Sequence, residues 1–215
     1  MMIVLKAGVA VAALYAVGAL IYLVHKAAAF GFPVYYSKEK GSRIKGIMYA
    51  FGRGMMPWEK ESAGKHLLSY LAGVTYHTGI FVALLYLLFV LCGVVLPSAI
   101  LLLCQIILLT GGLCGVGLLF KRISSAEMKV ISCLDDYAAN IMVDLFIFSA
   151  LLHSFSVAST PVFYGSAIVM FLYIPVGKIR HCFFFFLTRI LFGIFFGRRD
   201  VFPGATGTRH PEETR

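Results

Sequence analysis

Long apolar segments without charged side chains are the feature that most constrains how this chain folds. A helix needs about 20 apolar residues to cross the hydrocarbon core of a membrane, and several segments of the sequence reach or approach that length. Hydrophobic residues make up 60% of the chain and charged residues only 13%, whereas about a quarter of the residues of an average soluble protein are charged. The pattern excludes a soluble enzyme, a disordered tail and a secreted disulfide scaffold, and it indicates an integral membrane protein.

The apolar segments predict an all-α integral membrane bundle of five transmembrane helices, built as one domain over residues 1–199. The predicted spans are residues 3–24, 67–95, 99–120, 137–152 and 163–181. Basic residues follow the first segment instead of preceding it, which favours a retained helix over a signal peptide. Residues 182–197 are short for a span and rich in Phe, so they predict an interfacial helix. Residues 200–215 read as a polar tail.

The positions of the Lys and Arg residues predict the orientation of the chain. Of the 19 basic residues, 18 lie in three regions: eight in 26–65, three in 121–129 and seven in 178–215. The alternate linkers, 96–98 and 154–161, contain none. By the positive-inside rule the three basic regions are cytoplasmic, so the N-terminus is outside and the C-terminus inside. Topology thus explains the net charge of +9 without a nucleic-acid partner.

The histidines are the residues of this apolar chain that are best suited to bind a metal or to transfer a proton. His77 lies about 11 residues into the second predicted span, where a polar ring needs a partner and marks a functional site by default. A hydrogen bond across helices is the structural alternative, and the residue alone leaves both open. His153 is interpreted as an exposed interfacial side chain in preference to an outer proton or quinol ligand. The remaining histidines outside the fifth span are interpreted as solvated or interfacial: His25, His66 and His210.

His181 closes the fifth predicted span and lies beside Lys178 and Arg180. Haem b requires two imidazoles on facing helices, an apolar slot for the ring and cations near its propionates. His77 and His181 are therefore candidate axial ligands of the haem iron, and Lys178 and Arg180 are candidate propionate partners. The five cysteines form no CxxC or CxxCH motif, which argues against covalent haem or an iron–sulfur cluster held by this chain.

Asp144 is a carboxyl group inside the fourth predicted span, about 12 Å deeper than Asp136 at the rise of an α-helix. A charge at that depth costs several kcal/mol unless it is paired or neutralised. One interpretation is a hydrogen bond to a haem-ligating imidazole, or a proton acceptor for quinol. The other is a protonated carboxyl bonded to Asn140, Thr75 or a carbonyl group. The sequence leaves both open.

Two short runs resemble the haem-bearing segments of a known family. They are Tyr76-His77-Thr78-Gly79-Ile80-Phe81 and Ile174-Pro175-Val176-Gly177-Lys178-Ile179-Arg180-His181. Both are similar to runs in the gamma subunit of respiratory nitrate reductase, a five-helix membrane cytochrome b, where F-H-x-G-I and P-x-S-[RK]-x-x-H hold the haem nearest the cytoplasm. The resemblance covers residues 67–181 and extends to Lys121-Arg122 and Asp135-Asp136. Gamma-like subunits of heterodisulfide-reductase-like and multihaem-cytochrome complexes are equally similar.

The sequence departs from that family at both ligand positions of a second haem. The family's second-span ligand lies ten residues after the first, where this chain has Leu87. The matching position on the fifth span, eighteen residues before His181, is Phe163. The resemblance thus implies a single haem b close to the inner face. Without a second haem, this chain alone does not carry electrons across the full bilayer, which puts the family's outer quinol site in doubt.

The resemblance implies an electron-transfer subunit of a respiratory oxidoreductase complex in the inner membrane of a prokaryotic cell. Such a subunit passes electrons between the quinone or menaquinone pool and a cytoplasmic iron–sulfur or cytochrome partner, and it is not the catalytic subunit. The alternative is a haem-free membrane anchor for peripheral redox subunits. A small transporter is a third hypothesis, weakened because the sequence shows no inverted repeat.

Residues 41–58 combine basic and apolar side chains in a pattern typical of an amphipathic surface helix. Trp58 is the last residue of this segment and is a candidate anchor at the lipid headgroups. Interfacial packing is the favoured interpretation of this segment, and a docking surface for a cytoplasmic partner is the rival.

Overall fold

The structure is a computed structural model that describes residues 2–31, 35–60 and 64–202, and these residues form helices and connecting turns without β-strands. The α-helices, numbered in chain order, are α1 Met2–Ala28, α2 Arg43–Phe51, α3 Leu67–Cys92, α4 Ser98–Ser124, α5 Ala126–Ile131, α6 Leu134–Phe155, α7 Thr160–Tyr173 and α8 His181–Gly197. Short 3₁₀ helices cover Arg53–Met55, Pro57–Glu59, Val157–Ser159 and Lys178–Arg180. From residue 203 onward the predicted tail, which includes His210, lies outside the described residues.

Five helices among the described residues are long and apolar enough to cross a membrane, which is typical of a multi-pass membrane protein. They are α1, α3, α4, α6 and the segment Lys178–Gly197. The first four agree with the predicted spans. The predicted fifth span over 163–181 is wrong as one continuous helix, because α7 has 14 residues and rises only about 21 Å against a hydrocarbon core of about 30 Å.

The interruption after α7 has a local cause. Pro175 has no backbone N–H with which to continue the helical hydrogen bonds. The Tyr173 ring lies against Gly177, where a Cβ atom would overlap it. The Tyr173 hydroxyl donates a hydrogen bond to the Asp135 carboxylate at the start of α6. The chain therefore turns over residues 174–177 before His181 begins α8.

The chain divides into two compact units. The first comprises residues 1–23 and 66–180, and its core lies among α3, α4, α6 and α7. One face of α1 joins this core through Val9, Ala12, Ala16 and Leu20, which recur at helical spacing and are buried. Helices α3 and α4 approach most closely at Gly79 and Gly111, where the absence of side chains lets the two backbones meet.

Among the described residues, the second unit comprises 24–31, 35–60, 64–65 and 181–202, and it is built on the packing of α2 against α8. A Cβ atom on Gly46 of α2 would overlap the backbone of Gly193 and Gly197 on α8. The surface helix predicted for 41–58 is thus shorter in the structure, since α2 ends at Phe51 and two 3₁₀ turns follow. Trp58, in the second turn, is 72% exposed.

Two polar contacts hold the segments around α2 in the second unit. Glu59 accepts hydrogen bonds from the Arg53 guanidinium at 2.5 Å and the Tyr49 hydroxyl at 2.9 Å, and these bonds lower the pKa of the Glu59 carboxyl. Arg198, which follows α8, is buried: its guanidinium donates to the carbonyl of Ser37 at 2.9 Å and lies 4.4 Å from the centre of the Tyr35 ring. The chain on both sides of α2 is therefore anchored within this unit.

Candidate functional site

His77 lies near the middle of α3 in the first unit, about 15 Å along the helix from Leu67. Its side chain is exposed on the surface of this unit, and its Nδ1 atom lies 2.7 Å from the carbonyl oxygen of Gly73, one helical turn earlier. A carbonyl oxygen only accepts, so Nδ1 carries the proton and donates it. This hydrogen bond fixes the tautomer in which Nε2 is the unprotonated nitrogen of the ring.

Lys178 and Arg180, which are predicted to bind the haem propionates, have surroundings that differ from each other. Lys178 donates a hydrogen bond of 2.6 Å to the Asp136 carboxylate, and Arg122 lies 3.6 Å from the other oxygen of that carboxylate. Lys178 would therefore have to exchange an ion pair to bind a propionate. Arg180 is exposed at the end of the first unit, and His181 is exposed at the first position of α8 in the second unit.

Asp144 is at the centre of a polar cluster in the core of the first unit, with 6% of its surface exposed. Its Oδ2 atom accepts a hydrogen bond of 2.8 Å from the side-chain amide of Asn140. The same amide lies 3.3 Å from the carbonyl oxygen of Gly115, and the Tyr76 hydroxyl donates to the Asn140 carbonyl at 3.2 Å. Of the partners proposed for Asp144 from the sequence, Asn140 is the one that the structure brings to it.

Gly115 makes this cluster possible, and it was not singled out from the sequence. A Cβ atom at Gly115 would overlap both Oδ1 of Asp144 and the ring of Tyr76. Glycine therefore lets two side chains from α3 and α6 reach the backbone of α4. The sequence contained a signal for part of this cluster, because Asn140 and Asp144 are four residues apart and share a helix face.

His153 is buried, with 7% of its surface exposed, so the prediction of an exposed interfacial side chain is wrong. The Tyr86 hydroxyl lies 2.9 Å from Nδ1, and Oγ1 of Thr160 lies 3.1 Å from Nε2. Thr160 donates its own proton to the carbonyl of Val157 and must accept from Nε2–H. Tyr86 therefore donates to Nδ1, and a neutral imidazole is satisfied at both nitrogens.

The positions of the absent second-haem ligands are filled by core side chains of the same region. Phe163 is fully buried, and its ring lies between 5.2 and 5.8 Å from the ring centres of His153, Tyr86 and Phe146. Leu87 is 2% exposed. A stacked aromatic cluster thus takes up the space around these two positions.

A cavity of about 440 Å³ adjoins the His153 cluster at the end of α3 where Gly93 follows the helix. Apolar residues such as Val90 and Leu96 line most of its wall, and its polar lining residues are Tyr86, His153, Ser154, Ser156, Thr160 and Tyr164. Both nitrogens of the His153 imidazole are already paired with Tyr86 and Thr160, so the ring offers no further hydrogen bond to the cavity. The wall that the cavity presents is therefore mainly apolar.

We expect alanine at His153 to destabilise the first unit by about 1–2 kcal/mol, because Tyr86 and Thr160 lose their buried partner. The measurement is thermal unfolding in detergent, followed by circular dichroism. His66→Ala is the matched control, since His66 is exposed just before α3 and its removal should leave the unfolding temperature unchanged. Equal effects of the two substitutions would contradict the buried hydrogen-bond chain.

Within the described ranges, no three His, Cys, Asp or Glu side chains converge on a point where they could hold a metal ion. A haem iron needs only two axial side chains from the protein, and His77 offers the donor chemistry for one of them. No protein-family model, curated protein or solved structure matches the chain.

Proposed function

We propose that this chain is a haem b-carrying membrane subunit of a respiratory oxidoreductase complex. It passes electrons between the quinone or menaquinone pool and a cytoplasmic iron–sulfur or cytochrome partner. His77 and His181 are the axial ligands of the haem iron, and the haem supplies one-electron redox chemistry that no side chain of the protein provides. The observation that carries the proposal is the hydrogen bond from His77 to Gly73.

The His77 side chain has the arrangement that haem ligation requires of a histidine. A metal-ligating imidazole usually donates its other N–H to a carbonyl or carboxylate, which orients the ring and raises its basicity. His77 makes this bond at 2.7 Å within its own helix, so the orientation does not depend on a neighbouring helix.

The packing around Phe163 and Leu87 supports a single haem over the two of the similar family. Both residues are within the fully packed part of the first unit. Binding a second porphyrin there would displace the rings of Phe146, Tyr86 and His153, which stack on Phe163. His153 would also lose two hydrogen bonds on becoming a ligand.

The proposed orientation places the N-terminus outside and the C-terminus in the cytoplasm, following the basic linkers, with the short helix α7 and the turn after it as the fifth crossing. The contacts of α8 support an interfacial position for this helix. Its Gly193 and Gly197 pack on Gly46 of α2, and the carbonyl of Arg198 accepts hydrogen bonds from the backbone of Lys40 and Gly41. Because α2 belongs to the basic linker, a helix packed along it belongs on the same face of the membrane.

The test of the proposal is the absorption spectrum of the purified full-length protein. We expect a reduced-minus-oxidised spectrum of b type and about one haem per chain by pyridine haemochrome assay. Expression with added haem precursor ensures that cofactor supply does not limit loading. A colourless preparation that is folded by circular dichroism would overturn the proposal in favour of the haem-free anchor. A ratio of two haems would overturn the single-haem assignment.

A further inference from the structure

Three polar residues form a ladder along one face of α6. Asp136, Asn140 and Asp144 follow each other at four-residue spacing, which stacks them on the same face. Asp136 lies in the first turn and is paired with Lys178, and Asp144 lies about 12 Å further along the helix. Asn140 connects to Asp144 through a hydrogen bond of 2.8 Å. The ladder leads from the charged end of the helix into the core of the first unit.

The ladder ends at Asp144. The next residue at the same spacing is Phe148, whose ring packs so closely on Gly112 that a Cβ atom there would lie 2.8 Å from it. Apolar core residues such as Phe146 and Ile147 surround the following turn. Polar contact with Asp144 along this face is therefore made from the Asp136 end of the helix.

The two oxygens of the Asp144 carboxyl have different surroundings. Oδ2 accepts from Asn140, and the Tyr76 hydroxyl also interacts with the carboxyl, whereas Oδ1 is buried and makes no well-formed hydrogen bond among the described residues. Oδ1 points at the space that the absent side chain of Gly115 leaves open. A carboxylate oxygen that is both desolvated and unpaired costs several kcal/mol, so this geometry disfavours the charged form.

The groups that pack around α6 supply no compensating cation. On the side of α3 the titratable neighbour is Tyr76, and α4 presents Gly115. The cations at the end of α4 are engaged elsewhere, Lys121 with Ser69 and Arg122 with Asp136 and Ser132. The titratable side chains of α7 also lie elsewhere, Tyr164 in the cavity wall and Tyr173 on Asp135. Among residues 2–31, 35–60 and 64–202, none of the ion pairs includes Asp144.

We propose that Asp144 is a proton-binding site inside the membrane, which takes up a proton in mildly acidic medium and is reached from the Asp136 end of α6 past the Asn140 side chain. A proton fits this site better than a metal cation. Asn140 turns its amide N–H groups toward Oδ2 of Asp144 and the carbonyl of Gly115, and these are the oxygens that a cation would need. The site is independent of the haem and of its two ligands.

The protonated state is tested by infrared spectroscopy of the full chain in an ester-free detergent at pH 5.5, where exposed carboxyl groups are mostly ionised. The wild-type protein should show the C=O stretch of a buried carboxylic acid, and Asp144→Asn should lack it. Asp144→Glu should retain an acid band at a shifted frequency, which excludes misfolding as the reason for a loss. Ser149→Ala is the matched control, because Ser149 is another buried polar residue of α6 and its removal should leave the band unchanged. A wild-type spectrum without such a band would overturn the proposal.

The route is tested by the rate at which this band shifts when the protein is moved into D₂O. Asn140→Leu replaces the amide beside Asp144 by an apolar side chain of similar shape, and we expect the shift to slow by about tenfold, the equivalent of one lost hydrogen bond, while Ser149→Ala exchanges at the wild-type rate. An unchanged rate in Asn140→Leu would overturn the access route. Because the band and its exchange require no haem, a colourless protein would contradict the proposed function and leave this result standing.

Discussion

Alanine at position 77 should remove the haem from this protein altogether. His77 is the proposed ligand whose ring orientation is fixed within its own helix, by the 2.7 Å hydrogen bond to Gly73. Alanine has no donor atom for iron, and water is a weak substitute in an apolar site. We expect the b-type absorption of the purified variant to fall to the background of the apoprotein. The measurement is haem per chain by pyridine haemochrome assay, with protein quantified separately.

The controls separate ligand loss from misfolding. Ala is a favourable helix residue and His77 is exposed on the first unit, so the helical signal in circular dichroism should stay unchanged. His66→Ala and His153→Ala should keep a full complement of haem, although the second is less stable. Wild-type haem content in His77→Ala would contradict the assignment. Loss of haem in His153→Ala, with the fold intact, would indicate that His153 is an axial ligand.

The second proposed axial ligand is His181, the first residue of α8. Alanine at position 181 is expected to remove the haem or to convert its low-spin spectrum to a high-spin one, since a single histidine leaves one axial position open. If this variant keeps the wild-type spectrum, His181 is not an axial ligand, and the assignment of His77 is unaffected.

The largest effect on folding is expected from Gly111→Val in α4. A Cβ atom at position 111 would lie 2.8 Å from the Cα atom of Gly79 and 3.3 Å from the carbonyl oxygen of Thr75. These are backbone atoms of α3, so the helices must separate for the side chain to fit. Overpacking of this kind costs about 3 kcal/mol. We expect the unfolding transition, followed by circular dichroism during titration with SDS, to move to a lower fraction of the denaturant.

Gly117→Val is the matched control for this substitution. It lies on the same helix and introduces the same side chain, but nothing lies within 4 Å of the position that its Cβ would occupy. Because helix propensity changes equally in both variants, any difference between them reports on the contact between α3 and α4. Equal shifts of the two transitions would contradict the close backbone contact at Gly79.

Much of the candidate site could be placed from the sequence, because single polar residues are conspicuous in apolar helices. His77 and Asp144 were both singled out for this reason, and Asn140 was named as a partner of Asp144 since the two are one turn apart. Gly115 and Tyr86 were not found, because glycine and tyrosine are ordinary residues in apolar segments. Their roles depend on which helices face each other.

His153 shows most clearly why the sequence was insufficient. Its position near the end of an apolar helix is typical of an exposed interfacial residue, yet Tyr86 and Thr160 enclose it from two other helices. These partners are 67 and 7 residues away in the chain. Whether a polar ring near a helix end is exposed depends on such distant neighbours, and no local pattern encodes them.

The sequence by itself determined that the chain forms apolar helices of membrane-spanning length, because hydrophobicity and backbone hydrogen bonding act over the twenty or so residues of one segment. It also determined the uneven distribution of basic residues from which the orientation is proposed. Pro175 marks in the sequence where α7 must end, whereas the contact of Tyr173 with Asp135 that closes the turn was decided by the tertiary structure. It also decided which polar side chains meet, because glycines remote in sequence set the closest approach of the helices, and a polar group in an apolar core is stable only where packing brings it a partner.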